Sequence, residues 1–391
     1  MKASTFLDSL YEAVYRTAGL PPPGEQDVTR DPTNLRIVRQ IHELHSDGLP
    51  PEEARVVREA AEQALEAAAG NVLSKYEDPF MISILRDVAD RVEAACREAG
   101  VPLPDRPLLG TLPHGDVNAR TMLVPGTGEH LVLFESQLIL FAHLAAKAVV
   151  EALPLGELDD GRLSFDLDTA HIRAALEAEP RLAARFVEVL LGYAVTGRPG
   201  FARQYLQSRK REALTRIFRN ALEFFVLGHE YGHIVSRHLG ERRLVAGMDI
   251  GGDDAEELPE EVLYSWKQEL EADVRGVEYA IPPTIRAGYD LTLGYAAGPD
   301  FYFTLMDVFS RAMQLLRTGT EEVPLATSHP PAALRREALR RSLRDFLGDA
   351  ADGPLHLATT LQEVVEGLWA FARPTVLNAR EHGVRPRSTW R

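Results

Sequence analysis

Phe224-Phe225-Val226-Leu227-Gly228-His229-Glu230-Tyr231-Gly232-His233 is the stretch on which the reading of this chain turns. Two histidines stand four residues apart, with a glutamate directly after the first. On an α-helix, positions i and i+4 share a face one turn apart, so His229 and His233 can aim imidazole nitrogens at one point. Glu230 lies about 100° round the helix, within reach of a water at that point without being a ligand itself. This is the H-E-x-x-H spacing that binds zinc. The residues ahead of it (Leu222, Phe224, Phe225, Val226, Leu227) are apolar, as a buried helix requires. Gly228 and Gly232 bare the backbone beside the histidines, although each Gly costs a helix up to about 1 kcal/mol relative to Ala. Something must therefore approach that backbone closely.

A catalytic zinc site holding two histidines needs a third protein ligand, with a fourth position left to water. Trp266-Lys267-Gln268-Glu269-Leu270-Glu271-Ala272-Asp273 supplies the best candidate. Glu269 and Asp273 are four apart and share a helix face, so Glu269 can ligate while Asp273 accepts an N–H from a ligand histidine. Glu271 points elsewhere and is expected at the surface. Alone, Glu-x-x-x-Asp is a common pair of charges on an acidic helix; the paired histidines upstream give it meaning. His238 is five residues past His233, rotated about 140° beyond it, and is expected to end the helix away from the metal.

Length and composition frame the rest. At 391 residues the chain can build one large core or two to three domains, and 45% hydrophobic with 26% charged residues is ordinary for a globular protein. A net charge of −15 argues against a general affinity for nucleic acid or anionic membrane. Arg209-Lys210-Arg211, with Arg216 and Arg219, therefore reads as a solvated helix face. Cys96 is the only cysteine, so no cysteine cluster competes for metal, and a cytoplasmic location is expected. The first residues lack a signal-peptide core, and no run reaches the roughly 18 apolar residues of a membrane span. No membrane insertion is expected.

Taken in order, 1–105 reads as a helical N-terminal region. Its first helix stops at Gly19 and Pro21-Pro22-Pro23-Gly24, and others follow at about 33–47, 51–75 and 80–99. His42-Glu43-Leu44-His45 lacks the zinc spacing and reads as a solvated face. From 106 to 348 a core is expected. Thr121 to Gly126 and Leu131 to Phe134 form a β-hairpin, and a helix follows at about 136–153. An inserted stretch, 154–203, is helical from 169 to 197, and a long helix starts near Phe201 with the motif at its far end. After the acidic run Asp253 to Glu261 come helices at about 260–280, 299–317 and 331–347. Residues 349–391 carry a last helix at about 355–373 and a mobile, Arg-rich tail. The expected class is mostly α (α+β).

His229-Glu230-Tyr231-Gly232-His233 followed by Glu269-Leu270-Glu271-Ala272-Asp273 resembles the gluzincin pattern, and within it the M48 metallopeptidases, the family of the CAAX prenyl endopeptidases. Asn118-Ala119, then Val124-Pro125-Gly126 and Leu131 to Phe134, resemble that family's hairpin ahead of the zinc helix. Thr327-Ser328-His329-Pro330-Pro331, with Arg335 beyond, resembles its C-terminal T-H-P-x-x-x-x-R element apart from the inserted Ser328. The resemblance covers roughly 108–345. It implies a zincin-like helical core with a small sheet beside the zinc helix and one Zn2+ per chain. His229, His233 and Glu269 would be its ligands, Glu230 the general base, and Asp273 the partner of a ligand histidine. It also implies that Asn118 and Ala119 bind substrate, and that His329 and Arg335 sit near the metal, steadying an oxyanion or capping the zinc.

The expected function is zinc-dependent hydrolysis of peptide bonds in a protein or peptide substrate. The alternative is a latent or catalytically silent metalloprotein, with the N-terminal helices binding a protein partner and His329 closing the open position.

Overall fold

The computed structural model describes residues 2–17, 73–74, 76–77, 79–113, 117–157, 163–165, 168–239, 260–323, 329–387 and 390, together with Glu52, Arg55, Val56 and Glu59. The expected helix at 33–47 with its His42–His45 run, most of that at 51–75, and the acidic run from Asp253 to Pro259 lie outside the described residues. The chain is mostly helical with a small three-stranded sheet. Among the described residues, no helix is long and apolar enough to cross a membrane.

The sheet comprises β1 (Leu108–Thr111), β2 (Ala119–Leu123) and β3 (His130–Phe134), in the order β1-β3-β2. β2 and β3 form the expected antiparallel hairpin, reversed through Gly126 and Gly128 at φ 76° and 75°. β1 adds in parallel to β3 and was not foreseen, since four residues carry too little alternation to be read. Side chains of β3 alternate: Leu131 and Leu133 face α1 (Ala3–Thr17) through Leu7 and Tyr11, while Val132 and Phe134 join the main core. Tyr11 and Thr111 hydrogen-bond at 3.0 Å across that inner face. Nor does the rest of the described N-terminal region stand apart. α2 (Pro79–Ala99) puts Ile82, Leu85, Val88, Val92 and Cys96 into the same core as the motif helix.

α3 (Leu138–Ala152) follows the sheet at its expected place. The inserted stretch holds a short hairpin, β4 (Leu155–Glu157) with β5 (Leu163–Phe165), then α4 (Thr169–Ala178) and α5 (Pro180–Thr196). It is part of the core, because Phe186, Leu190 and Tyr193 are fully buried and Tyr193 stacks on Phe141 of α3.

The motif lies on α6 (Arg209–Val235), which starts eight residues later than expected. Phe201 closes a 3-10 turn from Pro199, and the helix begins only where the Ser208 side chain accepts from the Arg211 N–H as N-cap. From Ala221 to Ile234 every residue of α6 is buried, so this is a helix enclosed all round.

Its closest neighbour is α7 (Glu260–Arg286), and glycines set the distance. A Cβ on Gly228 would lie 2.8 Å from the Gly276 carbonyl oxygen, and one on Gly232 would lie 2.9 Å from Arg275 Cβ. Gly276 in turn sits 3.0 Å from the His229 backbone nitrogen by the same measure. The close approach inferred from Gly228 and Gly232 is thus that of a second helix backbone. It brings Glu269 to the histidines. Gly228→Ala should force the two backbones apart and destabilise by about 1–3 kcal/mol, with metal uptake lost in parallel. Chemical denaturation and metal titration of the variant check this, and an unchanged pair of results would contradict it.

α7 runs past its expected end near 280, through Pro282 and Pro283. Pro283 has no N–H for the Tyr279 carbonyl, and the Cys96 thiol occupies that acceptor at 3.7 Å. Burial pushes this thiol up to about 11, which keeps it protonated and inert.

Beyond α7 come α8 (Leu291–Tyr295), a π turn at Ala296–Asp300, α9 (Phe301–Thr318), α10 (Ala332–Leu347) and α11 (Asp352–Glu381). The expectation of a mobile tail from 374 is corrected. α11 continues to Glu381, and Trp390 is buried against Tyr193 and Phe309. The Arg387 backbone N–H donates to Ala194 O of α5, and the Arg317 side chain of α9 donates to Trp390 O, so the tail is tied to two core helices.

Glu223, one turn and a half ahead of His229, is a buried carboxyl outside the site, with Arg219 Nε 3.5 Å away and no hydrogen bond at Oε1. Burial pushes it up to about 7, although Arg219 and Arg91 pull it down. An unfolded glutamate ionises near 4.3. Between those values the folded chain holds a proton the unfolded chain has lost, so the stability tied to this group falls as pH rises through the window. Glu223→Gln should therefore stabilise by about 2–3 kcal/mol at pH 8 and by almost nothing at pH 4. Thermal unfolding at the two pH values measures the difference.

Candidate metal centre

α6 presents His229 and His233 on one face with rings edge-on, their centroids 4.7 Å apart. The two Nε2 atoms lie 3.1 Å from each other. α7 brings Glu269 to the same point, Oε2 3.5 Å from His229 Nε2 and Oε1 3.5 Å from His233 Nε2. Ligands at 2.0–2.1 Å on a tetrahedral ion are separated by about 3.3 Å. The Nε2–Nε2 separation is close to that edge, each Nε2 has a different Glu269 oxygen at 3.5 Å, and one ligand atom from each of the three residues lies within 4.8 Å of the others. Glu269 Oε2 is buried without a hydrogen bond, a polar atom that an ion would satisfy. His229, His233 and Glu269 can therefore hold a metal ion.

A second layer fixes the ligands from behind. His229 Nδ1, on the far side of its ring, is 2.9 Å from Asp273 Oδ1, one turn along α7 from Glu269. Arg335 of α10 forks onto Asp273, Nε to Oδ2 at 2.8 Å and Nη2 to Oδ1 at 2.5 Å, with Nη2 3.4 Å from Glu269 Oε2. Its guanidinium also lies 4.7 Å over the Phe303 ring. Arg335 was expected near the metal, steadying an oxyanion or capping the zinc. Its buried guanidinium is within 3.4 Å of both His229 Nδ1 and Glu269 Oε2, and there it orders Asp273.

Glu230 is 1% exposed, and Thr121 of β2 donates to its Oε2 at 2.5 Å. Its Oε1 is 4.0 Å from His229 Nε2, close to the ligand point yet outside the ligand set. Thr121 is a site residue that the hairpin reading missed; nothing marks it before the sheet is docked on α6. His329 reaches the site from the other side, Nδ1 3.0 Å from Glu269 Oε1, and its side chain is the most open of the group at 36% exposed. Asn118 and Ala119, expected to bind substrate, lie at the entry to β2. Asn118 Oδ1 accepts from Tyr302 at 2.9 Å, and Ala119 is buried in the core beside Phe134, so both hold the start of β2.

Charge follows the same logic. Burial disfavours the charged form of His229, but the neighbouring Asp273 and Glu269 carboxylates outweigh it and raise the group to about 9. Burial would raise Glu269, yet His329, His229 and Arg335 hold it well below the usual carboxylate range. Asp273 is likewise held down against burial by Arg335. Glu269 and Asp273 are buried carboxyl groups that share the Arg335 guanidinium, and Glu230 is a third buried carboxyl beside His229. A divalent cation at this point would balance that excess of negative charge.

His238 is outside the metal-holding set, as expected, but its Nδ1 lies 3.0 Å from His233 Nδ1, a contact not foreseen. α6 ends at Val235, and the chain turns back instead of continuing the helix. Glu271 is on the surface as foreseen, its side chain 47% exposed. No protein-family model matches this chain, and no curated protein or solved structure matches it either.

Proposed function

We propose that this protein is a zinc-dependent endopeptidase of the gluzincin type, similar to the M48 metallopeptidases. The observation that carries the proposal is the placement of Glu230 beside a point faced by His229 Nε2, His233 Nε2 and the Glu269 carboxylate. Zinc bound by these residues supplies a Lewis acid that polarises a carbonyl and acidifies a water.

The chain's own residues do the rest. Glu230, held through Oε2 by Thr121 with Oε1 4.0 Å from His229 Nε2, would take a proton from the attacking water and deliver it to the leaving amine. Asp273 and Arg335 hold the His229 ring in the orientation and tautomer that present Nε2. His329, 3.0 Å from Glu269 with its side chain 36% exposed, would donate to a developing oxyanion. β2 is the edge of its sheet and is joined to Glu230 through Thr121, so an extended peptide added along it would pass the base. Such pairing reads backbone, which suits an unfolded protein or flexible peptide.

The test is cleavage of an unstructured protein such as casein. Activity should disappear with a chelator and return with about one equivalent of zinc. Persistence of cleavage in the chelator would contradict the proposal. A second reading, a latent metalloprotein with a protein partner, is favoured by the burial of the site, where His229 is 3% and Glu230 1% exposed. It predicts that His329→Ala raises cleavage, whereas the oxyanion role predicts a fall.

A further inference from the structure

We infer that His238 and Glu271 form a hydrogen-bonded relay that positions His233 for metal, the counterpart of Asp273 behind His229. The inference rests on the metal reading given above and adds two residues to it.

The backbone at the end of α6 builds the contact. Ser236 is the C-cap; the Arg237 N–H donates to Ile234 O and the His238 N–H to His233 O, at 3.1 Å each. That pair of bonds is the Schellman closure, which sets the residue two beyond the cap against the one three before it. The conformation needs a left-handed residue between them. Here it is Arg237 at φ 54°, the one positive-φ residue other than glycine among the described residues. Glycine would adopt it without strain, and a strained side chain kept at such a point accords with a functional constraint. Where this closure usually packs two apolar side chains, it pairs two imidazoles.

His238 Nδ1 lies 3.0 Å from His233 Nδ1. The other nitrogen of His238, Nε2, is 3.4 Å from Glu271 Oε2, and the Ser236 hydroxyl donates to Glu271 Oε1 at 2.8 Å. The protons on this chain can be assigned from one end. If His233 gives Nε2 to a metal, its Nδ1 carries the hydrogen and must donate. His238 Nδ1 is then the acceptor, so its Nε2 carries the hydrogen and donates to the Glu271 carboxylate. Every donor meets an acceptor, and the arrangement selects the metal-binding tautomer of His233. His238 itself is not placed as a ligand, because the metal-holding set is His229, His233 and Glu269. α7 thereby addresses both imidazoles, through Asp273 for one and Glu271 by way of His238 for the other.

The experiment measures metal affinity of the full chain by competition with a chromophoric chelator, and records the visible spectrum of its cobalt(II) form. Variants are His238→Leu, His238→Asn and Glu271→Leu, with thermal unfolding of each metal-free protein as the control for folding. Removal of an outer partner of a metal-bound histidine costs about 10–100-fold in affinity, and His238→Leu should fall in that range. His238→Asn keeps an acceptor near the Nδ1 position and should recover most of the affinity and the wild-type cobalt spectrum. Glu271→Leu, at a half-exposed position, should weaken binding in the same direction by less. A helix-ending role alone would shift unfolding equally for Leu and Asn and leave the cobalt spectrum unchanged in both. Wild-type affinity and spectrum in both His238→Leu and Glu271→Leu would overturn the relay. Failure of the wild-type chain to take up cobalt or zinc would overturn the metal reading and the relay with it.

Discussion

Glu230→Gln should lower peptide-bond cleavage by about 10²–10⁴-fold while leaving bound metal at the wild-type level. The amide keeps the size of the carboxylate and can still accept from the Thr121 hydroxyl, which holds the side chain at 2.5 Å in the native protein. What it loses is the ability to take a proton. Because Glu230 is outside the ligand set, the site should load normally. The fall belongs in kcat, with KM little changed, since the proton moves only in the transition state. Metal content and steady-state kinetics on one preparation decide the matter. Full activity with full metal would remove Glu230 from the chemistry.

Arg335→Met should destabilise the metal-free protein by about 3–5 kcal/mol, the cost of leaving buried carboxylates without their partner. Arg335 is buried, forks onto both oxygens of Asp273 and lies beside Glu269. Arg335→Lys should rescue little, because an ammonium cannot make the two parallel bonds. Added zinc should recover part of the loss in the Met variant, since a cation held through Glu269 and His229 supplies positive charge to the same group of acids. Urea denaturation with and without zinc measures both effects. Equal stability of wild type and Arg335→Met in chelator would contradict the account of the site's charge.

Among the described residues, local sequence carried most of the helices, the hairpin and the meeting of His229, His233 and Glu269. His229 and His233 are fixed to one face by helical geometry, and Gly228 with Gly232 already announced a close neighbour. Glu269 and Asp273 were legible for the same reason, one turn apart on a helix whose partner was named. Features that depend on chain reversal or docking were not. His238 seemed rotated away because a continuous helix was assumed, whereas the left-handed Arg237 folds it back onto His233. Thr121 acquires meaning only when the sheet packs on α6. Arg335 was placed in the right neighbourhood, but its fork onto Asp273 was not read, since spacing cannot say which carboxylate or ring nitrogen a guanidinium will meet. The tail looked mobile from its arginines, and Trp390 outweighed them by burying its ring against Tyr193 and Phe309.

The account stands on three side chains from two helices sharing one divalent ion. Anomalous diffraction at the zinc absorption edge, on crystals grown from zinc-loaded protein, addresses this directly. One peak should appear within bonding distance of His229 Nε2, His233 Nε2 and a Glu269 oxygen, and it should vanish in Glu269→Ala crystals. A zinc-loaded crystal with no peak between those residues, or with its ion bound elsewhere, would contradict it.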